Sequence, residues 1–311
     1  MTAPLSVCVV IPSLDQARFL PTAIDSVLAQ DHRPLELIVM DGGSRDGTIE
    51  VLRGYGHAVR WVSGPDAGQA AAINAGWWSS RSDVIAWLNA DDAYLPGAVS
   101  AAVAALEADP GLDVLYGGAY YWDEQGRFLR EYPSEHFDHA RLVGRAVCFI
   151  PQPATFLRRR VLESEGALDE TLHHALDFEY WLRLSASGRR FRHLPVALAA
   201  LRLHAAAKSI RQLAAFAPEI VTIYERLARR APTTIDPSLL RRGLSSAHYR
   251  ASQCLFWSGR FRDARAHAWR SWTLAPLRLR PLLTAVMGGT TARLVLERWR
   301  GNPFTAGVGP A

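Results

Sequence analysis

The chain has 311 residues, a formal net charge of +5, 49% hydrophobic residues and 21% charged residues. This balance excludes wholesale disorder, and the length is sufficient for one large domain or for two. The charge is uneven, because residues 1–210 carry −6 and residues 211–311 carry +11. Such asymmetry predicts two regions with different partners.

Cysteine usage and hydropathy indicate an intracellular protein. Cys8, Cys148 and Cys254 are far apart and form no C-x-x-C pair, which predicts reduced, mostly buried thiols in the cytosol. The N-terminus runs straight into an apolar stretch without a basic segment, so no secretory signal is expected. No apolar run approaches the ~18 residues of a membrane-spanning helix.

Strand-like and helix-like stretches alternate through the first 110 residues. Apolar runs predict strands at 5–13, 35–41, 58–64 and 83–92. Helical patterns follow each of them, around 19–28, from Thr48, over 68–80 and over 96–108. This alternation predicts an α/β fold with a Rossmann-like, mostly parallel sheet flanked by helices.

The rhythm changes after residue 110. The sequence predicts a hairpin at 119–133, a short strand and helix within 152–166, a helix at 176–188 and a strand at 196–203. Helical patterns dominate from about residue 210. We therefore expect an α/β domain at 1–209 and a basic helical region at 210–311.

Acidic residues follow three of the four predicted strands: Asp41, Asp66 and the pair Asp91–Asp92. The carboxyl ends of parallel strands meet at one edge, where ligands bind. Adjacent carboxylates repel each other unless a metal, an arginine or water compensates. A solvated turn with Asp92 near a helix N-cap and a Mg²⁺ or Mn²⁺ site are both open interpretations.

Five short motifs occur in the order seen in glycosyltransferase family 2. They are VVIPSLDQARFLPTAIDSVLAQ, LIVMDGGSRDGT, GPDAGQAAAINAG, WLNADDAYLPG and LDFEYWLRL. The chain therefore resembles that family over roughly residues 5–209. The resemblance implies a GT-A fold and an inverting transferase that uses a nucleotide-diphosphate sugar, typically linked to UDP.

The resemblance also implies roles for individual residues. Asp177 would be the catalytic base, Asp41 would accept hydrogen bonds from the nucleotide base, and Asp92 and His204 would bind Mn²⁺ or Mg²⁺. The nucleotide-sugar site would be formed by Pro12, Ser13, Asp41, Asp66, Gln69, Asp91, Arg202 and Lys208.

Two positions depart from the family pattern. Asn89-Ala90-Asp91-Asp92 stands where the family often has a strict D-x-D, and Leu176 stands where a glutamate often precedes the base. Asparagine ligates a metal more weakly than aspartate, which predicts lower metal affinity.

Simpler interpretations remain open at several positions. Asp177 could instead be a helix N-cap, and His204 could be a structural surface histidine. Three tryptophans are expected in the core: Trp77, Trp78 and Trp87.

Two rival functions fit the sequence less well. A sugar-phosphate nucleotidyltransferase would place a glycine-rich loop after the first strand, whereas PSLDQARFL has no glycine. A degenerate transferase that acts as a scaffold is disfavoured by the presence of Asp92 and Asp177.

The basic region at 210–311 has three possible partners. Arginine and tryptophan flank apolar clusters at 278–300, which favours an interfacial helix on an anionic membrane surface. A protein-docking helical module is the second possibility, and nucleic acid is not expected because no recognition motif is present. We predict a cytosol-facing enzyme, peripheral at the inner membrane, acting in surface polysaccharide or glycolipid synthesis on a glycan or lipid-linked acceptor.

Overall fold

The computed structural model describes residues 3–204, 213–230 and 233–276. The chain divides into two compact units. The first comprises Met1–Phe137 and Phe149–Arg202, and the second comprises Asp138–Cys148 and Leu203–Ala311. The domain boundary at 209/210 stays a prediction.

Strands and helices alternate from β1 to β4, and the later part of the described chain departs from this alternation. The strands are β1 (Val7–Ser13), β2 (Leu35–Asp41), β3 (Arg60–Ser63), β4 (Val84–Trp87), β5 (Ala93–Tyr94), β6 (Val114–Trp122), β7 (Phe128–Glu131), β8 (Thr155–Arg158) and β9 (Phe191–Arg202). The helices are α1 (Leu20–Leu28), α2 (Thr48–Gly54), α3 (Gln69–Ser79), α4 (Ala98–Ala108), α5 (His139–Arg145), α6 (Arg159–Glu165), α7 (Leu176–Ala186), α8 (Leu213–Arg230), α9 (Pro237–Trp257) and α10 (Phe261–Leu274).

One mixed sheet organises the first unit, in the order β3-β2-β1-β4-β8-β6-β9-β5, with β7 paired to β6. The first four strands are parallel, as the alternating pattern predicts. The later strands add antiparallel pairs, because β8 runs against both β4 and β6. The strand order reverses beside β1, which makes the ends of β1, β2 and β4 the expected ligand edge.

Both faces of the sheet are covered by helices. Val9 and Ile11 of β1 belong to the same apolar cluster as Leu20 and Ile24 of α1. Val10 points to the opposite face, where a Cβ on Gly76 of α3 would lie 2.6 Å from its Cγ1. Successive strand side chains alternate between faces, so a strand buried on both sides reads as a continuous apolar run.

The fourth strand is shorter than the sequence prediction of 83–92. It ends at Trp87, and the backbone N–H of Asp92 donates to the carbonyl of Asn89 at 3.1 Å. The two acids thus lie in a turn beyond the strand. The apolar run alone could not locate this end, because Leu88 and Ala90 remain buried in the core.

The three tryptophans differ in burial. Trp77 and Trp87 are fully buried and meet edge to face, with ring centroids 5.4 Å apart. The prediction that Trp78 also lies in the core is wrong, because its side chain is 52% exposed. Consecutive residues of a helix point about 100° apart, so Trp77 and Trp78 of α3 cannot both face the sheet.

The second unit is helical. Tyr224 of α8 donates from its hydroxyl to the carbonyl of Val143 in α5 at 2.7 Å, and Ser246 of α9 donates to the carbonyl of Gly144 at 2.8 Å. An apolar cluster including Val221, Cys254 and Leu255 joins α8 to α9. Within the described residues, no helix has the length and apolarity needed to cross a membrane.

Candidate functional site

The loops that follow β1 and β2 are tied together by side-chain hydrogen bonds. Ser44 Oγ accepts from the backbone N–H of Asp15 at 2.7 Å, and Asp15 Oδ1 accepts from the N–H of Arg45 at 2.8 Å. Asp46 Oδ2 accepts from the N–H of Ala17 at 2.9 Å. These ties fix the ends of neighbouring strands relative to each other.

Asp41 ends β2 and is buried at the centre of this loop pair. Its Oδ2 accepts from the N–H groups of Gly43 and Ser44, both at 3.0 Å, and from Ser63 Oγ at 2.7 Å. Its Oδ1 accepts from Ser44 Oγ. Oδ1 thus accepts one of these hydrogen bonds where Oδ2 accepts three, so Oδ1 is the oxygen with capacity for a further donor.

Ser13 lies directly across from Asp41 in the register of β1 and β2, and Pro12 lies across from Met40. The Ser13 Oγ is buried and has no hydrogen-bond partner among the described residues. A buried polar atom without a partner is costly, so a ligand donor or acceptor at this strand end would stabilise the site.

Asp66 also lies at this edge. Its Oδ1 accepts from the N–H of Gly68 at 2.8 Å, and a Cβ on Gly42 would lie 3.1 Å from its Oδ2. Asp66 therefore approaches the loop after Asp41, and glycine at position 42 permits that approach. The structure thus brings together Ser13, Asp41 and Asp66 at the ends of β1 and β2.

A chain of side-chain amides joins α3 to the turn after β4. Gln69 Nε2 donates to Asn89 Oδ1 at 2.8 Å. Asn89 Nδ2 donates to Asp92 Oδ2 and to Gln152 Oε1, both at 3.1 Å. Gln152 Nε2 in turn donates to the carbonyl of Trp87 at 2.7 Å. The Asn89 amide therefore orients the Asp92 carboxylate.

Asp92 is buried beside a second acid. Burial raises its pKa well above the usual range, and the charge of Asp91 adds to this effect. Hydrogen bonds from the Arg202 backbone N–H and the Asn89 side chain oppose the shift, together with the charge of Arg202. A cation at this position would favour the ionised form, because opposite charge lowers a carboxyl pKa.

Arg202 ends β9 and is buried against the same turn. Its backbone N–H donates to Asp92 Oδ1 and its Nε donates to the carbonyl of Asp91, both at 3.1 Å. Its guanidinium lies 5.2 Å from the centroid of the Phe19 ring. Arg202 thus joins the acid turn to the start of α1, as a residue of the predicted site.

Asp177 lies in the first turn of α7, where Ala175 is the N-cap residue. The N-cap interpretation of Asp177 is therefore wrong. Burial raises the pKa of Asp177 to about 6. Trp181 lies one helical turn further on, and its ring stacks on Trp87 with centroids 5.7 Å apart. Residues four apart share a helix face, so Asp177 lies on the face of α7 that packs on Trp87, the last residue of β4.

The loop before α7 is anchored to α3. Asn74 Nδ2 donates to the carbonyl of Leu168 at 3.0 Å and to Glu170 Oε1 at 2.9 Å, and Asn74 Oδ1 accepts from the N–H of Leu168 at 3.0 Å. A Cβ on Gly68 would lie 3.6 Å from His173 Nδ1. The segment leading to Asp177 therefore contacts the helix that begins after Asp66.

The two remaining predicted residues are His204 and Lys208. His204 is buried and belongs to the second unit, and Lys208 lies outside the described residues. Burial contradicts the alternative of His204 as a surface histidine. In the described ranges, no group of three or more His, Cys, Asp or Glu side chains is placed to hold a metal ion.

Sequence reasoning missed two residues of this site. The sequence pattern assigns Gln152 only to a short strand and helix, and it predicts Asn89 to be a weak metal ligand. The structure shows both as amide donors that hold Asp92 and the end of β4. Asn89 is a polar residue directly after the apolar run of β4. This position at the end of a buried strand is the sequence signal that could have indicated its role in the site.

Curated relatives resemble parts of this chain. An uncharacterized glycosyltransferase of Rickettsia felis is 33% identical over 40% of this chain and 21% of its own length. Another from Rickettsia typhi is 27% identical over 60% and 61%. The hyaluronan synthase of Pasteurella multocida is 27% identical over 67% and 21%. The chain thus spans less than two thirds of the length of each of these proteins.

Solved structures share the fold. TarS residues 1–349 of S. aureus in complex with UDP-GlcNAc has a TM-score of 0.68 and 13% identity, covering 95% of this chain and 93% of that one. The mannosyltransferase PcManGT of Pyrobaculum calidifontis, in complex with GDP-Man and Mn²⁺, has a TM-score of 0.64 and 17% identity, covering 98% and 86%. The architecture is therefore the predicted GT-A fold.

The family described as Glycosyl transferase family 2 matches residues 8–166, which run from β1 to the residue after α6 and include the strand-end acids. This match covers about half of the 311 residues. The chain belongs to glycosyltransferase family 2.

Proposed function

We propose that the protein transfers a sugar from a nucleotide-diphosphate donor, UDP-linked, to a hydroxyl of a glycan or lipid-linked acceptor, with inversion at the anomeric carbon. One observation carries the proposal. The buried Asp92, oriented by Asn89 and Arg202, lies in the turn beyond the end of β4. The stack of Trp181 on Trp87 supports Asp177 as the second carboxylate, because residues four apart share a helix face. Asp92 would thus serve the sugar donor, and Asp177 would serve the acceptor hydroxyl.

The nucleotide would bind at the ends of β1 and β2. The free capacity of Asp41 Oδ1 suits an N–H of the base, and the buried Ser13 Oγ suits a polar group of the nucleotide. The ties between the two loops hold both groups in place before the donor arrives. Preorganisation of this kind lowers the entropy lost on binding.

The acid turn fits a divalent cation that shares its ligands with a diphosphate. Magnesium and manganese sites in nucleotide enzymes often use one or two carboxylates, with phosphate oxygens completing the shell. Asp92 would hold the ion beside Asp91, with His204 as a further proposed ligand. When bound, a divalent ion supplies positive charge to the diphosphate as it departs. Asn89 and the Arg202 backbone keep the carboxylate oriented.

Asp177 would act as the general base. A carboxyl group with a pKa of about 6 is ionised at neutral pH, yet it accepts a proton more readily than an ordinary aspartate. It would take the proton of the acceptor hydroxyl as that oxygen attacks the anomeric carbon. Attack from the side opposite the leaving diphosphate inverts the configuration in one displacement.

Thermal stabilisation by a panel of nucleotide sugars tests the donor assignment. With Mn²⁺ present, a UDP-sugar should raise the melting temperature, and slow hydrolysis of the same donor should release UDP. Asp92→Asn should abolish the metal-dependent part of both effects, whereas Glu50→Gln on the exposed face of α2 should change neither. Equal responses of the Asp92→Asn variant and the wild type would refute the cation assignment, and a response only to GDP-sugars would refute the UDP assignment.

The basic region supports a second element of the proposal, peripheral binding to an anionic membrane. Residues 211–311 carry +11, and each basic residue near such a surface contributes about 1 kcal/mol. The predicted interfacial helix at 278–300 lies outside the described residues. Acceptors of surface polysaccharide or glycolipid synthesis are located at such membranes, and the resemblance to a hyaluronan synthase supports a polysaccharide product.

Co-sedimentation of the full-length chain with vesicles tests this element. Recovery should be high with anionic vesicles at low salt, and it should fall steeply in ~0.5 M salt because screening shortens the Debye length. Equal recovery with anionic and zwitterionic vesicles would contradict it.

A further inference from the structure

A groove of about 360 Å³ lies in the first unit, between the start of α1 and the turn that joins β6 to β7. Of the residues proposed for the donor site or as the general base, Arg202 is among those that line this groove. Its volume is at the lower end of the roughly 300–1,000 Å³ of small-molecule sites. The lining residues that matter here are Arg18, Phe19, Thr22, Trp122, Glu124 and Arg202.

The groove combines aromatic rings with polar side chains. Phe19 and Trp122 line it from two different elements, α1 and β6. The turn is built closely around them, because a Cβ on Gly126 would lie 3.8 Å from Trp122 Cε3 and 3.9 Å from an Arg202 terminal nitrogen. The positive φ of Gly126, +79°, also favours glycine there.

The arginine side chains of the groove are bonded to other groups of the protein. Arg18 pairs with Glu124 at 2.9 Å, and its guanidinium lies 4.8 Å from the centroid of the Phe19 ring. One terminal nitrogen of Arg202 donates to the carbonyls of Asp123 at 3.3 Å and Glu124 at 2.9 Å. The Arg18–Glu124 pair is balanced in charge, and backbone carbonyls accept from the Arg202 side chain, so these donors do not require an anionic ligand as an acceptor.

The groove adjoins the acid turn through a single residue. Arg202 lines the groove with its side chain, and its backbone N–H and Nε bond to Asp92 Oδ1 and to the Asp91 carbonyl. The Arg202 side chain would therefore separate a molecule in the groove from the acid turn, where the donor diphosphate is proposed to bind.

We propose that this groove binds a non-ionised sugar ring of the acceptor glycan. The C–H face of a pyranose is apolar and packs on aromatic rings, while its hydroxyls can bond to Glu124, Thr22 and the amide of Gln125 on the rim. This inference rests on the proposed function, because it assigns an acceptor to the same transfer. Occupation of the groove would set the register of the glycan relative to the reacting hydroxyl.

Saturation-transfer NMR on the full-length protein tests the inference. The probes are methyl glycosides of glucose, galactose, N-acetylglucosamine and glucuronic acid, with excess UDP and Mn²⁺ filling the donor site. At least one neutral glycoside should give a signal. Trp122→Ala, which removes a ring, and Thr22→Tyr, which fills the groove from the exposed face of α1, should each reduce that signal at least fivefold.

Phe128→Ala is the matched control. Phe128 is 58% exposed on β7 of the same hairpin and does not line the groove, so its removal should leave the signal unchanged. Three outcomes would overturn the inference: no neutral glycoside binds, glucuronide alone binds, or the signal survives both groove variants. Calorimetry with UDP and GDP on the same samples separates the two proposals, because failure of nucleotide binding would refute the function itself.

Discussion

At the scale of single residues, Asn89 shows why the site is not a simple set of acids. An aspartate at this position could not donate a hydrogen bond to Asp92, whereas the Asn89 amide donates to Asp92 and to Gln152 and accepts from Gln69. The departure from a strict D-x-D pattern therefore places a positioning donor beside the buried carboxylate. Fully bonded polar networks of this kind hold one geometry.

The pKa of Asp177 predicts the pH dependence of turnover. Burial raises that pKa to about 6, and only the ionised form can accept a proton. The rate of transfer should therefore be constant above about pH 7 and should fall about tenfold per pH unit well below pH 6. A pH–rate profile of kcat with saturating donor measures this. A profile that stays flat between pH 5 and pH 7 would contradict the assignment.

Asp177→Asn should stabilise the fold at neutral pH. A carboxyl whose folded-state pKa is raised loses stability as pH rises from its unfolded pKa of 3.8 to about 6, because the fold disfavours the ionised form. The variant lacks that charge, and its amide oxygen can still accept from the N–H of Phe178. We expect a gain of about 1–3 kcal/mol at pH 7.5 that disappears below pH 4. Thermal melts at both pH values measure the gain, and destabilisation at pH 7.5 would argue against it.

At the scale of secondary-structure elements, the packing of α3 on β1 and β2 positions the loop that carries Asp66 and Gln69. Gly76 lies where α3 crosses Val10 and Met40. Any side chain there would push the helix off the sheet, and the amide chain from Gln69 to Asn89 would lengthen with it.

Gly76→Ala should therefore destabilise the protein by about 1–3 kcal/mol through overpacking, even though alanine has the higher helix propensity. The added Cβ would lie 2.6 and 2.7 Å from the two γ-carbons of Val10. Gly54→Ala is the control, since nothing lies within 4 Å of a Cβ at the last residue of α2. Urea unfolding measures both variants, and equal midpoints would show that α3 can shift without loss.

The elements differ in how far the sequence predicts them. Continuous apolar runs identify β1 and β2, and the spacing of Leu20, Ile24 and Val27 identifies α1. The end of β4 cannot be predicted from the apolar pattern of the sequence, because Leu88 and Ala90 remain buried after the strand hydrogen bonds stop. Apolar periodicity indicates which residues are buried, whereas the end of β4 is set by its pairing with β1. On β4 this pairing covers only residues 84–87.

At the scale of the whole molecule, contacts between residues far apart in sequence determine which donors bond to Asp92 and which elements form the groove. The partners of Asp92 are Asn89, three residues away, and Arg202, separated by 110 residues. The groove likewise combines α1 with the turn after β6. Local patterns identify the acids at the strand ends, but only the closed sheet reveals which donors reach them.

The division of the chain into two units also cannot be predicted from the local sequence pattern. The segment Asp138–Cys148, which contains α5, belongs to the helical unit although it lies between strands of the first unit in sequence. Its partners, Tyr224 and Ser246, follow about 80 to 100 residues later. A truncation after residue 209 would therefore leave α5 without these partners, which is why the membrane test uses the full-length chain.

The central claim is that one carboxylate serves the departing nucleotide and another serves the incoming hydroxyl. The most direct test measures the dissociation constant of the donor and the turnover rate for Asp177→Asn, in the same Mn²⁺ buffer. The account predicts an unchanged dissociation constant, within about twofold, and a kcat lower by about 10²–10⁴-fold. Turnover at the wild-type rate in this variant would contradict the account.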